Sequence, residues 1–299
     1  MAESRNTNGH FYQPYVDDWH GISSARERRK IQNRVNQRAR RSRARNTSHA
    51  TVAPVSRASC ISSCEDNLRN NSLRILSGLL TASANGADVR RVVEAINIIS
   101  KDSTYNRSLI HALETFMGQK WLIRAPRPDL IPSLMQFNFM KALFQNAEVL
   151  NLTDGQLHDD DALSNFNIEG PPRMGTKEVE TLPAHLQPTT LQVRVVHHPW
   201  FDLLPIGQMR DNLLLRGVDT FDDYELCHEM RGRGDRERPG FLIWGEPWDA
   251  SCWEVTERFA ESPWAWTIAG CWDLCRSTNS WRAKRGEPPL FYNSSIQCG

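Results

Sequence analysis

The spacing of apolar positions between residues 66 and 150 predicts packed helices. Val89, Val92, Val93, Ile96 and Ile99 recur every three or four residues, with polar side chains between them, as on one face of an α-helix. Two further segments show helical spacing and are carried by Leu109, Leu113, Phe116 and Met117, and by Phe139, Met140, Leu143, Phe144, Ala147 and Leu150. The pattern therefore predicts three or four packed helices over residues 66–150.

The pattern weakens after residue 150. Residues 151–190 mix prolines, aspartates and other polar residues, and predict a long loop. Leu191–Val196 and Phe241–Trp244 are apolar enough to predict two short strands, whereas Trp253–Glu261 and Trp264–Arg285 have helical length and spacing. Eight of the ten tryptophans lie within residues 197–292, which indicates a separate Trp-rich C-terminal domain over 191–292.

The segment from residue 22 to residue 45 has a different character. It lacks proline and, after Ser23, consists mostly of good helix formers, but its apolar stripe is thin. Between Arg26 and Arg45 it carries ten Lys or Arg and one Glu, a net charge of +9. The chain as a whole carries +1, so the other 279 residues carry −8. Such a helix is expected to fold on an anionic partner.

The flanks of this basic helix predict little structure. Residues 1–21 are polar and are expected to be disordered, and residues 46–65 are rich in Ser, Thr and Ala and predict a linker. No apolar run is long enough to span a membrane, and the first 30 residues lack the apolar core of a signal peptide. The predicted fold is therefore mainly α: an isolated basic helix, a disordered linker, and a helical body with at most two short strands.

One face of the basic helix carries chemistry suited to DNA. Amides of Asn and Gln pair bidentately with adenine, and Arg pairs with guanine or phosphate. We expect base contacts from Asn33, Asn36, Gln37, Arg40 and Arg41. We expect phosphate contacts from Arg26, Arg28, Arg29, Lys30, Arg34, Arg38, Arg43 and Arg45. A nuclear-localisation signal or a solvated charged helix explains the same composition.

The order of residues in this segment resembles the basic region of fungal basic-leucine-zipper (bZIP) transcription factors. Asn33, Gln37, Ala39 and Arg41 match that family's pattern, as does the preceding run from Arg29 to Gln32. Asn36 and Arg40 depart from it, and the resemblance implies that Asn36 stands where an alanine usually contacts a thymine methyl group. The leucine positions of the zipper hold Thr51, Ala58, Glu65 and Ser72 instead, and Pro54 interrupts the helix.

The second half of the chain resembles an uncharacterised fungal domain that often follows such degenerate basic regions. The resemblance covers roughly residues 17–45 and 130–291. Its motifs are His197 to Asp202, Arg210 to Leu214, Trp244 to Asp249, Ser277 to Arg282, and Gln136 to Asn138. It implies a nuclear DNA-binding transcriptional regulator whose partner is double-stranded DNA. Because the zipper leucines are missing, a homo- or hetero-dimer partner is expected, if there is one, at the C-terminal body. The alternative is a protein-interaction or small-ligand-sensing module whose basic segment is only a nuclear-localisation signal.

The sequence signals for a metal site or a sugar-binding site are weaker than the signal for DNA binding. Cys271 and Cys275, like Cys60 and Cys64, have i, i+4 spacing that a zinc site with His197 and His198 could use, but buried free cysteines are more common. The cluster of Trp244, Glu246, Trp248, Asp249, Trp253 and Glu254 suggests a sugar site, but such dense tryptophan is more often core, with indole N–H groups bonded to carboxylates. We therefore expect no enzyme activity, no catalytic residues, no cofactor and no metal.

Overall fold

A computed structural model of the protein describes residues 86–96, 98, 103–122, 130–159, 162–167, 175–218, 220–232 and 239–292. Within these ranges the fold is mainly α, as predicted, with two short strands. The α-helices are α1 Gly86–Ala95, α2 Ser103–Leu122, α3 Ile131–Val149, α4 Asp154–His158, α5 Thr176–Thr181, α6 Thr190–Arg194, α7 Gly207–Arg216, α8 Asp223–Arg231, α9 Glu257–Ala260 and α10 Trp272–Lys284.

The strands and 3₁₀ turns are short. The strands are β1 Phe241–Ile243 and β2 Trp253–Val255, and 3₁₀ turns cover Ala184–Leu186, Pro199–Leu203, Ala250–Cys252 and Ala265–Ile268. Among the helices described here, none is both long and apolar enough to cross a membrane. The predicted disordered arm (1–21), basic helix (22–45) and linker (46–65) lie outside the described residues.

The predicted amphipathic helices are confirmed. Val89, Val92, Val93 and Ile96 are fully buried along α1, and Leu109, Leu113 and Phe116 are buried along α2. All six apolar positions predicted to lie on one side between residues 131 and 150 are buried, while Asn138 and Glu148 on the opposite side are exposed. Helical periodicity thus assigned the buried faces correctly.

Helix α3 lies at the centre of the body. It packs against α1, α8, β1 and the Pro199–Leu203 turn. The buried Asn146 donates from Nδ2 to the Leu203 carbonyl at 2.8 Å and to the Pro247 carbonyl at 3.0 Å. One side chain of α3 therefore joins two distant irregular segments.

The two strands form an antiparallel pair in which Leu242 lies opposite Glu254. Helix α10 packs on β2, and its Ser277 Oγ donates to the Trp253 carbonyl at 2.5 Å. Thr278 Oγ1 accepts from the Val255 N–H at 3.1 Å. Gly240, just before β1, has no room for a side chain, because a Cβ there would lie 2.5 Å from the Phe259 ring.

Helix α8 and the residue after it contact the upstream helices α1 and α3 through side-chain hydrogen bonds. The buried Arg231 donates from Nη1 to the Ile96 carbonyl at 2.8 Å and from Nη2 to the Val93 carbonyl, so it caps the C-terminal end of α1. Gln136 on α3 donates to the Gly232 carbonyl just after α8. The helices predicted over 66–150 and the Trp-rich region therefore share one core.

The predicted strand at Leu191–Val196 is wrong, since this segment contains α6. Thr189 caps that helix by accepting from the Gln192 N–H at 3.2 Å, while the Gln192 side chain accepts from the Thr189 N–H at 3.0 Å. This capping box satisfies two N–H groups at the helix start and favours a helical turn over an extended chain. The segment 151–190, expected to be a loop, likewise contains α4, α5 and the Ala184–Leu186 turn.

The helical predictions after residue 253 are correct only in part. Trp253–Val255 pairs with β1 as a strand, so the helix predicted over Trp253–Glu261 is reduced to α9. The segment Trp264–Arg285 is divided at Gly270, whose φ of 67° a continuing right-handed helix cannot adopt. The boundaries of these helices are therefore set by the pairing of β2 with β1 and by the left-handed conformation of Gly270. The spacing of apolar residues indicates neither feature.

Candidate functional site

The predicted DNA-contacting residues, from Arg26 to Arg45, all lie outside the described residues. Asn33, Asn36, Gln37, Arg40 and Arg41, and the flanking phosphate-contacting Arg and Lys residues, therefore stay predictions. The structure instead places two groups of polar and aromatic side chains in the body. One is a buried polar network around Asp202, and the other is a partly exposed pair of tryptophans.

The buried network is centred on the Asp202 carboxylate, which is 1% exposed. Ser164 Oγ donates to its Oδ2 at 2.6 Å, and Gln192 Nε2 donates to its Oδ1 at 2.6 Å. His197 Nε2 lies 3.0 Å from the same Oδ1. Because these donors come from three separate segments, the carboxylate joins 162–167, α6 and the chain before α7.

His197 has an acceptor at each ring nitrogen. Nε2 faces the Asp202 carboxylate, and Nδ1 lies 2.7 Å from the Val195 carbonyl oxygen. The imidazole therefore bridges the Asp202 carboxylate and the backbone at Val195, and both contacts hold the ring in one orientation.

Ser164, His197 and Asp202 are the residue types of a hydrolase triad, but their geometry differs from one. The Ser164 hydroxyl donates to the carboxylate rather than to the imidazole, so no base activates it as a nucleophile. All three side chains are buried. The arrangement holds three segments of the chain together.

Arg210 on α7 lies next to this network and is 2% exposed. Its Nη2 donates to the Gln187 carbonyl at 2.8 Å, while Nε and Nη1 have no hydrogen-bond partner among the described residues. Burial lowers the pKa of Arg210 to about 10, and the negative charges of Asp202 and Asp211 act in the opposite direction. The two carboxylates therefore offset only part of the cost of burying this guanidinium.

The partly exposed group is a stacked pair of indoles, Trp244 and Trp281, here called the tryptophan surface. Their ring centroids are 5.4 Å apart and their planes differ by 20°. Trp244 Nε1 donates to Glu254 Oε2 at 2.7 Å, and Trp281 Nε1 donates to the Ser251 carbonyl at 2.8 Å. Trp244 is nevertheless 41% exposed. Two amphipathic rings are therefore held in place while one presents its area to solvent.

Two cations lie beside these rings. The Lys284 ammonium is 3.6 Å from the Trp281 ring centroid, and the Arg285 guanidinium carbon is 5.2 Å from the Trp244 centroid. Arg285 also bonds to Glu254 and to Glu287, and these bonds, that of Glu287 first, raise its pKa above its ordinary range. The tryptophan surface is thus aromatic at its centre and charged at its margin.

The tryptophan–carboxylate cluster, considered above as a sugar site, is partly buried in the core. In the tryptophan–carboxylate cluster, Glu254 is buried and bonded to Trp244 and Arg285, as expected of a core in which indole N–H groups bond to carboxylates. Trp253 is fully buried, and Trp248 packs against the core. Both oxygens of Glu254 thus accept hydrogen bonds from neighbouring side chains.

The two cysteines of the predicted Cys271–Cys275 pair are core residues. Both side chains are buried, whereas Cys60 and Cys64 lie outside the described residues. Within the described ranges, no three His, Cys, Asp or Glu side chains are grouped as a metal site requires. His197, the proposed zinc partner, is instead bonded to Asp202.

Comparison with known proteins identifies one domain. Residues 171–273 match the family described as "Domain of unknown function (DUF3425)", about a third of the chain. No curated protein and no solved structure matches the chain. The chain therefore contains this uncharacterised domain. The matched segment includes most of the Asp202 network and both strands, whereas α1 to α3 precede it and most of α10 follows it.

Sequence reasoning missed the Asp202 network. The motifs His197 to Asp202 and Arg210 to Leu214 were recognised as a resemblance, but nothing in them identifies Ser164, 38 positions from Asp202, as a partner. The polar Gln192 within an apolar run was the available signal, because a fully buried amide needs partners. It was obscured by the strand prediction for the same segment.

Proposed function

We propose that the protein is a nuclear, DNA-binding transcriptional regulator of the fungal bZIP-like type, and not an enzyme. The observation that supports this best is the register of Asn33, Gln37 and Arg41 within a basic segment of net charge +9. A chance run of arginines has no reason to place two amides and an arginine four residues apart on one helical face. The DUF3425 match at 171–273 agrees with this proposal, since the resembling domain often follows such basic regions.

In this proposal the basic helix folds when phosphates neutralise its charge and lies in the major groove. Base edges are contacted from Asn33, Asn36, Gln37, Arg40 and Arg41, and flanking arginines fix the register on the phosphates. A single such helix binds weakly, because it engages one half-site only. The body, rather than a zipper, is therefore proposed to bring two arms together.

The direct test is selection of duplexes from a random library by the full chain, with sedimentation of the chain with and without the selected duplex. We expect an enriched motif and a complex whose affinity decreases with salt. The matched control is the Asn33→Ala, Arg41→Ala double variant, which keeps most of the charge. Equal enrichment of all sequences by both chains would contradict base recognition.

A second comparison tests the role of the body. We expect the full chain to bind a duplex with two half-sites more tightly than a 1–64 fragment does at the same salt concentration. The expected gain reflects the raised effective concentration of the second arm, on the order of millimolar for short linkers. Equal affinity would show that the body has no role in DNA binding.

The tryptophan surface favours one alternative, an interaction module whose basic segment is only a nuclear-import signal. Its rigid, 41% exposed Trp244 is the kind of residue that dominates protein interfaces. A chain carrying Asn33→Ala and Arg41→Ala that still enters the nucleus and keeps its full regulatory effect would support this alternative. Loss of that effect supports the DNA-binding proposal.

A further inference from the structure

The chain after α10 folds back along that helix as a short tail, residues Glu287 to Tyr292, with bends at Leu290 and Phe291. Asn279 Oδ1 accepts from the Leu290 N–H at 2.9 Å and from the Phe291 N–H at 3.1 Å. Asn279 Nδ2 donates to the Phe291 carbonyl at 2.6 Å. One side-chain amide thus makes three hydrogen bonds to the tail backbone and holds the bend at Leu290 and Phe291.

A second helix residue also bonds to the tail backbone. Arg282 Nε donates to the Pro288 carbonyl at 2.7 Å. Leu290 and Phe291 are half-buried and pack against the core. We call the surface formed by Asn279, Arg282 and the part of the core against which Leu290 and Phe291 pack the tail groove. It holds the tail through bonds to its backbone and through two apolar side chains.

The connection between α10 and the tail is a single turn. Gly286 has a φ of 73°, and a Cβ placed on it would meet nothing within 4 Å. The turn is closed by the Glu287 N–H, which bonds to the Arg282 carbonyl at 3.0 Å, and by the exposed Arg285–Glu287 pair. Few of these contacts are buried, so opening the turn disturbs little of the core.

We propose that the tail groove also binds the tail of a second copy, so that two copies associate by exchanging residues 287–292. Each copy carries an identical tail and an identical groove, so the exchanged contacts are those already seen within one chain. Only the turn at Gly286 must change. The resulting pair is symmetric, because the tail of each copy fills the groove of the other.

Tail exchange deepens the proposed function, on which its biological role rests. Exchange forms no new contact in the groove, and the association of two chains costs translational and rotational entropy. At low concentration each free chain is therefore expected to keep its own tail in its own groove. Two copies bound to neighbouring half-sites have a high effective concentration, and exchange then becomes favourable. Tail exchange would then hold the two copies together in place of a leucine zipper, whose leucine positions hold other residues in this chain.

The test uses two full-length variants that complement each other and no DNA. The groove variant, Asn279→Ala, keeps its tail but loses the three amide bonds. The tail variant, Leu290→Asp with Phe291→Asp, keeps its groove but loses the two apolar side chains. In a mixture, the free tail of the first variant fits the empty groove of the second. We expect each variant alone to sediment as a monomer and the mixture to shift toward a dimer as concentration rises.

The controls separate folding from exchange. Ser280→Ala, on the exposed side of α10, should behave as the unmodified chain when mixed with the tail variant. If circular dichroism shows that Asn279→Ala is unfolded, Arg282→Ala replaces it as the groove variant. A mixture of folded variants that sediments only as monomers at every concentration overturns tail exchange. Because no DNA is present, that result leaves the DNA-binding proposal standing.

Discussion

Arg285 donates from both Nη atoms to the buried carboxylate of Glu254, at 2.9 and 2.6 Å. Glu254 lies in β2, and the same carboxylate accepts from the Trp244 indole N–H. One buried charge therefore fixes the end of α10, the strand pair and the exposed tryptophan. The geometry of the tryptophan surface depends on this pair.

Removal of Arg285 should be costly because it leaves Glu254 buried without its cation. Arg285 itself is 30% exposed, so we expect Arg285→Ala to lower the free energy of unfolding by about 2 kcal/mol, below the usual range for a fully buried pair. Urea unfolding followed by tryptophan fluorescence measures this. The matched control is Arg276→Ala, whose exposed pair with Asp273 should contribute no more than about 0.5 kcal/mol. Equal effects of the two substitutions would contradict a structural role for Glu254.

Asn146 should be the most sensitive polar position of α3. Its amide bonds to the Leu203 and Pro247 carbonyls, and both acceptors would be left buried in Asn146→Ala. We expect a loss of about 2–3 kcal/mol in the free energy of unfolding. Asn138→Ala, on the exposed side of the same helix, should change it by less than about 0.5 kcal/mol. Similar chemical-denaturation midpoints for the two variants would show that the two carbonyls find other partners.

Asp202→Asn tests the buried network. The amide replaces an anion that accepts from Ser164, Gln192 and His197 and that faces Arg210, so we expect a loss of about 3 kcal/mol. Thermal unfolding by calorimetry measures it. Glu246→Gln, the same change of charge at an exposed position, should leave the melting temperature within a degree or two of its original value. An unchanged melting temperature for Asp202→Asn would show that the network contributes little to stability.

In the basic segment, substitutions should separate into two classes. We expect Asn33→Ala and Arg41→Ala to reduce discrimination between sequences by about 1–3 kcal/mol for each lost base contact. Arg26→Ala and Arg43→Ala should weaken binding evenly and reduce its salt dependence. Competition binding on selected and random duplexes at several salt concentrations distinguishes the classes. If all four substitutions lower affinity equally on both duplexes, the segment is only an electrostatic anchor.

Local sequence patterns determined the helices of the body and their buried faces. In α1 and α3, side chains three and four residues apart share a face, and burial of that face is the main gain in free energy, so spacing alone identifies it. The short strand at Phe241–Ile243 was also predicted, within the apolar segment Phe241–Trp244.

Only tertiary structure decided the strand at Trp253–Val255, the helix at Thr190–Arg194 and the partners of Asp202. A three-residue strand forms because β1 lies beside it, and residues 241 and 255 must first be brought together by the fold. Ser164, Gln192 and Arg210 are far apart along the chain, and their free energy comes from leaving water together, which no local pattern records. Local spacing thus identified the buried faces of the long helices, while the tertiary structure determined which buried polar groups meet.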